Sequence, residues 1–248
     1  MGLEALAQME YPGRFIILGR TEDGANNVAV YGLTGRSPSS QARRLVLDTG
    51  DSEETYVKVE PTDEETLKKG NPDLLIYPAM VLHKFGIAVS NGKQTEGVAW
   101  GLRPGDQIHA LNQGHKDWSY EPDKPNFTPR ISAVLHSREV ESSAFGIIKK
   151  LGEGTVPFRS YFEVPLISGR GHLIATYTGE NRDPLPSFKG EPIVSRLSGT
   201  YIEETVKSVY GSLSEKFRVS VAVVYWNLRD SSKKLAIMNK HGGLSLHE

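Results

Sequence analysis

A near-continuous apolar run at residues 219–226, interrupted only by Ser220, restricts the possible folds more than any other feature of the chain. A strand of this kind is typical of one buried on both faces of its sheet. The preceding residues, 202–217, carry apolar side chains at spacings of three and four, namely Ile202, Val206, Val209, Tyr210, Leu213 and Phe217. This period predicts an amphipathic helix with one apolar face.

Further strand signals recur along the chain as short runs rich in β-branched or apolar residues: 15–18, 28–31, 44–47, 74–82, 87–89, 131–135, 161–165 and 173–178. The first two are separated by the turn-rich residues 21–27, which predicts a hairpin over residues 14–34. The sequence contains no repeat, no low-complexity tract and no shift in composition that would mark a linker. We therefore predict one α+β domain over residues 1–248.

Two segments, 101–129 and 179–192, are rich in Gly, Pro, Asn and Asp and are predicted to be loops. Long irregular segments inside a compact domain are usually functional or disordered. Residues 48–65 contain eight acidic residues and one lysine, which we interpret as a solvated face. A short helix is predicted at residues 64–69.

Composition excludes several classes of function. The 248 residues carry a formal net charge of −1 and a pI of about 6.7, which argues against general nucleic-acid binding. The absence of cysteine excludes a thiol nucleophile, a cysteine zinc site and an iron–sulfur cluster. The longest apolar run is too short to span a membrane, and the first residues do not resemble a signal peptide. We therefore expect a cytoplasmic protein that does not bind membranes.

The common catalytic motifs are absent. The run that ends in Gly92-Lys93-Gln94 lacks the spacing and the Ser or Thr of a Walker loop. No dinucleotide fingerprint or Gly-x-Ser-x-Gly elbow occurs, and the seven histidines are never spaced as metal ligands. Gly2 provides no nucleophile after removal of Met1. We predict neither a metal nor a cofactor.

Polar clusters remain in three predicted loops or strand ends. Five arginines lie within the first 44 residues, and three of them, Arg14, Arg20 and Arg36, directly follow a glycine. The other two clusters are residues 90–95 and residues 119–130. Guanidinium groups beside glycine suit an oxyanion or a phosphate. Together the clusters predict a site for a polar ligand with an anionic group.

The same segments resemble a known family. The similarity lies in Gly13-Arg14, Gly19-Arg20, Gly24, Tyr31, Gly35-Arg36-Ser37, Val89-Ser90-Asn91-Gly92, Tyr120-Glu121 and Thr128-Pro129-Arg130-Ile131. These residues resemble the archaeal-type IMP cyclohydrolase family, mainly over residues 11–135. Two later segments, 169–172 and 177–182, look more like bacterial relatives of that family.

This resemblance implies an enzyme of purine biosynthesis that closes the ring of 5-formamidoimidazole-4-carboxamide ribonucleotide to give inosine monophosphate. It also implies a four-layer αββα sandwich that resembles the amino-terminal nucleophile hydrolases but lacks their terminal nucleophile. The expected partner is a small purine ribonucleotide. The sequence does not distinguish a monomer from a homo-oligomer.

The resemblance further suggests Arg36, Tyr77 and an acid of the 120–123 loop as catalytic residues. The loop departs from the archaeal pattern at Pro122, Lys124, Pro125 and Phe127, so Glu121 and Asp123 are the available acids. We predict that Arg36 binds the developing oxyanion or the phosphate, that Tyr77 donates a proton or hydrogen bond, and that an acid transfers protons. Substrate-binding residues are predicted to be Arg20, Ser90, Asn91, Gly92, Thr95, Thr128 and Arg130.

Some of these residues have plainer interpretations. Tyr77 could fill the core, Arg130 could pair with a structural carboxylate, and Asn91-Gly92 could be a type I′ hairpin turn. Two other functions also stay open. One is a small-amide hydrolase that cleaves its own chain to expose Ser or Thr, and the other is a non-catalytic purine-nucleotide sensor.

Overall fold

The computed structural model describes residues 3–49, 54–63, 76–103, 105–197 and 199–247. Within these residues there are five helices: α1 Glu4–Ala7, α2 Pro38–Gln41, α3 Gln94–Gly101, α4 Gln107–His115 and α5 Ile202–Ser212. The same residues form fourteen strands: β1 Arg14–Arg20, β2 Asn26–Thr34, β3 Arg43–Asp48, β4 Thr55–Pro61, β5 Tyr77–His83, β6 Gly86–Ser90, β7 Arg130–His136, β8 Ser142–Lys149, β9 Phe158–Pro165, β10 Arg170–Ala175, β11 Ile193–Arg196, β12 Arg218–Asn227, β13 Lys233–Asn239 and β14 Gly243–His247.

The strands form two seven-stranded sheets in which every neighbouring pair is antiparallel. The first sheet has the order β11-β10-β1-β2-β12-β13-β14, and the second runs from β3 to β9 in chain order. The second sheet is thus a simple meander. The first brings the N-terminal hairpin together with strands from the C-terminal third.

The two sheets pack face to face and share one large apolar core. Buried side chains of the first sheet, such as Phe15 and Val30, belong to the same cluster as Met80 and Phe145 of the second sheet. Helix α5 packs against β12 and β13 from outside. A smaller cluster joins the other face of the second sheet to α3 and α4. The order of layers is helix, sheet, sheet, helix, which confirms the predicted α+β class.

The predicted central strand and the predicted hairpin are both confirmed. Residues 219–226 lie in β12, where all eight are buried, and β1 pairs with β2 across the turn. The helix before β12 is shorter than predicted. It ends at Ser212 because Leu213 adopts an extended backbone (φ −79°, ψ 144°). Phe217 lies beyond the helix and packs edge-on against Tyr11, 5.4 Å between ring centroids.

The prediction of a loop over residues 101–129 was wrong in part, because this segment contains α4. The Asp106 carboxylate caps that helix by accepting a hydrogen bond from His109 N at 2.7 Å. Gly114 of α4 lets this helix pack closely against α3, because a Cβ at this position would lie 2.2 Å from Cγ2 of Val98 in α3. Small residues that we interpreted as loop signals thus allow two helices to approach closely.

The acidic segment contains a strand that the sequence pattern did not predict, since residues 55–61 form β4, with the Lys58 ammonium paired to Asp48. The helix predicted at residues 64–69 lies outside the described residues. The strand predicted at residues 74–82 begins at Tyr77, and positions 74 and 75 also fall outside them.

A side-chain clamp helps to fix the two sheets relative to each other. Asn239 of β13 accepts a hydrogen bond from Leu45 N and donates one to Leu45 O, both at 2.9 Å. Ser220 of β12 donates to the same Asn239 oxygen at 2.6 Å. The clamp matters for function because residues of both sheets meet at the site described next. In the described part of the chain, none of the helices has the length and apolar character needed to cross a membrane.

Candidate active site

An ion pair between Arg14 and Glu121 lies at the centre of a buried polar group of residues between the two sheets. We call this group the cluster; its other members are Tyr31, Tyr77, Asn91 and Arg130. Arg14 is the first residue of β1, and its guanidinium donates to Glu121 Oε1. The preceding Gly13 has φ 74°, and a Cβ there would lie 2.2 Å from Thr176 Oγ1. Only glycine therefore fits at the position directly before β1. The side chains of Arg14 and Glu121 are 14% and 5% exposed.

Electrostatics keep Arg14 charged. Burial by itself lowers the pKa of Arg14, but the Glu121 carboxylate and three neighbouring tyrosine oxygens outweigh it and leave the pKa well above its usual value. Arg14 Nε is buried and has no hydrogen-bond partner among the described residues. A buried donor without a partner is uncommon in folded proteins.

Asn91 connects the end of β6 to the segment that carries Glu121. Its amide nitrogen donates to Pro129 O at 2.9 Å and to Glu121 Oε1 at 3.3 Å, and its oxygen accepts from Ile131 N at 2.8 Å. A type I′ turn needs positive φ at both central residues, and neither Asn91 nor Gly92 has one. The hairpin-turn interpretation of this dipeptide is therefore wrong.

Two tyrosines meet in the same cluster, one from each sheet. The hydroxyl oxygens of Tyr31 (β2) and Tyr77 (β5) are 2.7 Å apart, and both side chains are buried. Burial, followed by the hydroxyl of Tyr77, raises the pKa of Tyr31 well above its usual value, so Tyr31 stays protonated. Tyr77 therefore contributes a polar contact to the cluster as well as filling space.

Asp123 holds the 120–128 segment together. Its carboxylate accepts hydrogen bonds from Thr128 N at 2.7 Å and from the Thr128 hydroxyl, so each oxygen has a partner. The Thr128 hydroxyl also lies 2.6 Å from that of Tyr177. Burial raises the pKa of Tyr177 to about 12. Of the two acids predicted from sequence, Glu121 contacts the buried cation, whereas Asp123 binds its own loop.

Arg130 is a buried guanidinium bound to neutral groups. It donates to Ser119 O at 2.9 Å and to Gln94 Oε1 at 3.0 Å, and it lies 4.5 Å from the ring centroid of Trp118. No carboxylate forms a salt bridge with it among the described residues, so the alternative that Arg130 pairs with a structural carboxylate is not supported. Burial lowers the pKa of Arg130. A Cβ on Gly92 would lie 2.4 Å from Arg130 Nη1, so glycine makes room for this guanidinium.

Arg36 lies at the edge of the cluster rather than at its centre. It is half-buried, and its Nη1 is 2.9 Å from the exposed carboxylate of Asp183. The guanidinium lies 5.7 Å from the ring centroid of Tyr11, which stacks on Tyr177 at 5.8 Å. Arg36 is therefore connected to the cluster by the stacked rings of Tyr11 and Tyr177.

Three residues predicted to bind substrate lie elsewhere or bind the protein itself. Arg20 ends β1, about 20 Å from Arg14 at strand spacing, and bonds to Asn27, Val140 and Glu141. Ser90 donates to Ser132 Oγ at 2.8 Å on the helix side of the second sheet. Thr95 donates to Gly92 O at 2.7 Å and steadies the first turn of α3.

Three central residues were not among the predicted site residues: Arg14, Tyr31 and Tyr177. Arg14 and Tyr31 lie within segments that carry the family resemblance, and Tyr177 lies in one of the two later segments. The family resemblance therefore contained a signal for all three residues. Their convergence depends on the pairing of strands from distant parts of the chain.

Among the described residues, no group of three or more His, Asp or Glu is arranged to hold a metal ion.

Comparisons with known proteins bear on the family resemblance. A family model described as IMP cyclohydrolase-like protein matches residues 11–231, well beyond the segment 11–135 where the resemblance was noted. An IMP cyclohydrolase of Methanopyrus kandleri is 32% identical over 190 residues, covering 72% of this chain and 89% of that protein. An IMP cyclohydrolase of Methanococcus maripaludis strain C7 is 28% identical over 224 residues, covering 90% and 98%.

Proposed function

The chain belongs to the IMP cyclohydrolase-like protein family, and on that premise we propose that it is an IMP cyclohydrolase. It closes the purine ring of 5-formamidoimidazole-4-carboxamide ribonucleotide and releases inosine monophosphate and water. Its active centre is the buried cluster around Arg14 and Glu121.

One observation carries the assignment of the site. Residues that resemble the family lie far apart in the chain, yet Arg14, Tyr31, Asn91, Glu121 and Arg130 converge between the two sheets. A buried ion pair contributes little net stability. A fold that needed only stability would gain as much from apolar side chains at these positions, so the cluster supports a chemical role.

The reaction sets clear demands. The carboxamide nitrogen attacks the formyl carbon, a C–N bond forms, and the formyl oxygen finally leaves as water. That water carries one proton from the carboxamide nitrogen and one from the formamido nitrogen. The amide is a weak nucleophile, so fixing the two groups in a reactive geometry can contribute up to about 7–11 kcal/mol. Stabilising charge on the formyl oxygen adds about 3–4 kcal/mol per well-placed donor.

We assign Arg14 and Tyr77 to the formyl oxygen. The free Nε–H of Arg14 is a buried, charged donor beside the two tyrosines. In our proposal it stabilises the negative charge that develops during attack, and the Tyr77 hydroxyl supplies a proton to the same oxygen.

Glu121 is the acid that we assign to proton transfer at the carboxamide nitrogen. It lies against Arg14 and Asn91, whereas both oxygens of Asp123 are occupied by Thr128. During attack, Glu121 takes a proton from the carboxamide nitrogen. During dehydration, Glu121 returns that proton to the departing water, and the formamido nitrogen re-protonates Tyr77. Asp123 acts by positioning the loop.

Substrate binding is assigned to the surrounding residues. Asn91, Thr128 and Arg130 face the base and ribose, with Gly92 and Thr95 shaping the turn below Arg130. Arg36 takes the phosphate at the edge of the cluster. Its partner Asp183 is 79% exposed, and such pairs are worth about 0–1 kcal/mol, so a phosphate dianion can replace it. Arg20 and Ser90 are left out because they lie away from the cluster, Arg20 at the far end of β1 and Ser90 on the helix side of the second sheet.

Several finer features belong to the same proposal. The layered architecture is one that we relate to the amino-terminal nucleophile hydrolases, and residues 1–248 act as a single domain. Dehydrative ring closure involves no change in oxidation state and requires no redox cofactor. We place the enzyme in the cytoplasm, where purine ribonucleotides are made.

Ultraviolet absorbance of the purified protein with the formamido ribonucleotide tests the proposal. We expect protein-dependent formation of inosine monophosphate. If instead the ribonucleotide raises the melting temperature without being converted, the protein is a nucleotide sensor. An intact mass that shows internal cleavage, with release of a small amine from an amide, would support the hydrolase.

A further inference from the structure

We propose that Tyr31 is a positioning residue for the ring closure, because its hydroxyl donates to Tyr77 and leaves the Tyr77 proton free for the substrate. This inference rests on the proposed function and extends it to a residue with no assigned role. It also gives the contact between the two hydroxyls a direction.

The two hydroxyl groups form a buried hydrogen bond with each other. The two oxygens are 2.7 Å apart, with Tyr31 fully buried and Tyr77 2% exposed. Among the described residues, neither hydroxyl has another hydrogen-bond partner. Two hydroxyl protons therefore share one hydrogen bond, and one proton must point away from the pair.

A buried O–H group needs an acceptor, and this requirement decides which of the two protons points away from the pair. If Tyr77 donated, the spare proton would belong to Tyr31, in a place closed to solvent and without an acceptor. If Tyr31 donates, the spare proton belongs to Tyr77, the tyrosine of the pair that interacts with both Arg14 and Arg130. A substrate oxygen bound there would accept it. The second arrangement leaves no unsatisfied donor once substrate is bound.

The charges around Tyr31 fit its role as donor. The groups that face it are Tyr77 of β5, Arg14 of β1 and Arg43 of β3. Burial raises the pKa of Tyr31 most, and the hydrogen bond with Tyr77 raises it further, whereas the two arginines lower it. Tyr31 is therefore a neutral donor throughout the pH range in which an enzyme of this kind works.

The direction has a chemical consequence. When Tyr77 gives its proton to the formyl oxygen, a tyrosinate forms, and the hydrogen bond from Tyr31 becomes charge-assisted. Such bonds are stronger than neutral ones, so Tyr31 stabilises the state after proton transfer more than the state before it. Its effect should therefore appear in kcat rather than in KM.

The test is steady-state kinetics of Tyr31→Phe with the formamido ribonucleotide. We expect kcat to fall about 10- to 100-fold with KM unchanged, as for loss of one hydrogen bond to a charged group. Tyr31→Phe combined with Tyr77→Phe should be no slower than Tyr77→Phe alone.

Tyr225→Phe is the matched control. Tyr225 is also buried, and its hydroxyl contacts Thr205 at 2.6 Å and donates to Gly199 O at 3.1 Å, away from the cluster. This variant should lose stability but keep kcat. A normal kcat in Tyr31→Phe, a rise in KM in place of the fall in kcat, or effects of the two phenylalanine changes that multiply would overturn the inference while leaving the proposed function intact. No turnover by the unaltered protein would overturn both.

Discussion

The guanidinium of Arg14 and the carboxylate of Glu121 form an ion pair inside the protein, although 107 positions separate them in the chain. Arg14 begins a strand of the first sheet, and Glu121 lies in the segment that leads into β7 of the second. The pair therefore brings one charged residue from each half of the sandwich to a single point. Asn91 and the Tyr31–Tyr77 contact surround it.

Breaking this pair from one side should destabilise the protein. Arg14→Met leaves Glu121 as a buried charge without its cation, and such a change costs about 3–5 kcal/mol of unfolding free energy. Replacing both partners, Arg14→Met with Glu121→Leu, should recover much of the loss while activity remains absent. Urea denaturation of the two variants measures the difference. A double variant that is no more stable than Arg14→Met alone would show that the pair itself stabilises the fold.

The glycine beneath Arg130 offers a way to disturb binding without disturbing the core. In Gly92→Ala the new Cβ would lie 2.4 Å from Arg130 Nη1 and 2.5 Å from Gln94 Oε1, both at the ends of flexible side chains. We expect the fold to tolerate the change but the guanidinium to move, with KM rising about 10-fold, or roughly 1.4 kcal/mol. Gly211→Ala is the control, because a Cβ there meets no atom within 4 Å and its helix should gain slightly. An unchanged KM in Gly92→Ala would remove Arg130 from the binding site.

The buried hydroxyl of Tyr177 predicts a loss of stability at alkaline pH. The pKa of Tyr177 is raised to about 12, against about 10 in the unfolded chain. Between these values the folded state keeps a proton that the unfolded state has lost. The contribution is therefore complete below pH 10 and declines by up to about 1.4 kcal/mol per pH unit above it. Urea titrations at pH 9, 10 and 11 should show a shallower decline for Tyr177→Phe than for the unaltered protein.

Tyr201→Phe serves as the control for that series, since Tyr201 is 66% exposed. Its decline should match that of the unaltered protein. If Tyr177→Phe also declines at the unaltered rate, Tyr177 does not hold its proton as described.

The pair of Arg36 and Asp183 at the edge of the cluster allows binding to be tested separately from chemistry. Arg36→Ala should raise KM for the ribonucleotide with a smaller effect on kcat, because Arg36 lies outside the contacts of Arg14. Asp183→Asn removes the anion that competes with the phosphate, so KM should stay equal or fall. Initial rates over a range of substrate concentrations test both variants. A large fall in kcat for Arg36→Ala, with KM constant, would instead place Arg36 at the reacting atoms.

Sequence patterns predicted the parts of the fold in which local and tertiary preferences agree. The residues of β12 are apolar on both faces because both sides of the first sheet are covered. The pattern failed at α4, where glycine and polar residues suggested a loop. There Gly114 allows contact with α3, a tertiary reason that no local period reveals.

The site could be predicted only in outline. Arg14 and Arg20 lie on one strand and, at an even spacing, on one face, yet they end at opposite edges of the sandwich. Strand pairing alone decides which of them meets Glu121. The two acids Glu121 and Asp123 were likewise equivalent in sequence, and hydrogen bonds to Thr128 distinguish them.

The most direct test of the assignment compares the rate of inosine monophosphate formation in Glu121→Gln, Asp123→Asn and the exposed-surface control Glu153→Gln. We expect turnover by the unaltered protein and by Glu153→Gln, and a partial loss in Asp123→Asn. In Glu121→Gln we expect a fall of about 10²- to 10⁴-fold, the range for loss of a general acid–base group. Turnover by Glu121→Gln at the unaltered rate would contradict the role of Glu121, and no product from the unaltered protein would contradict the proposed function.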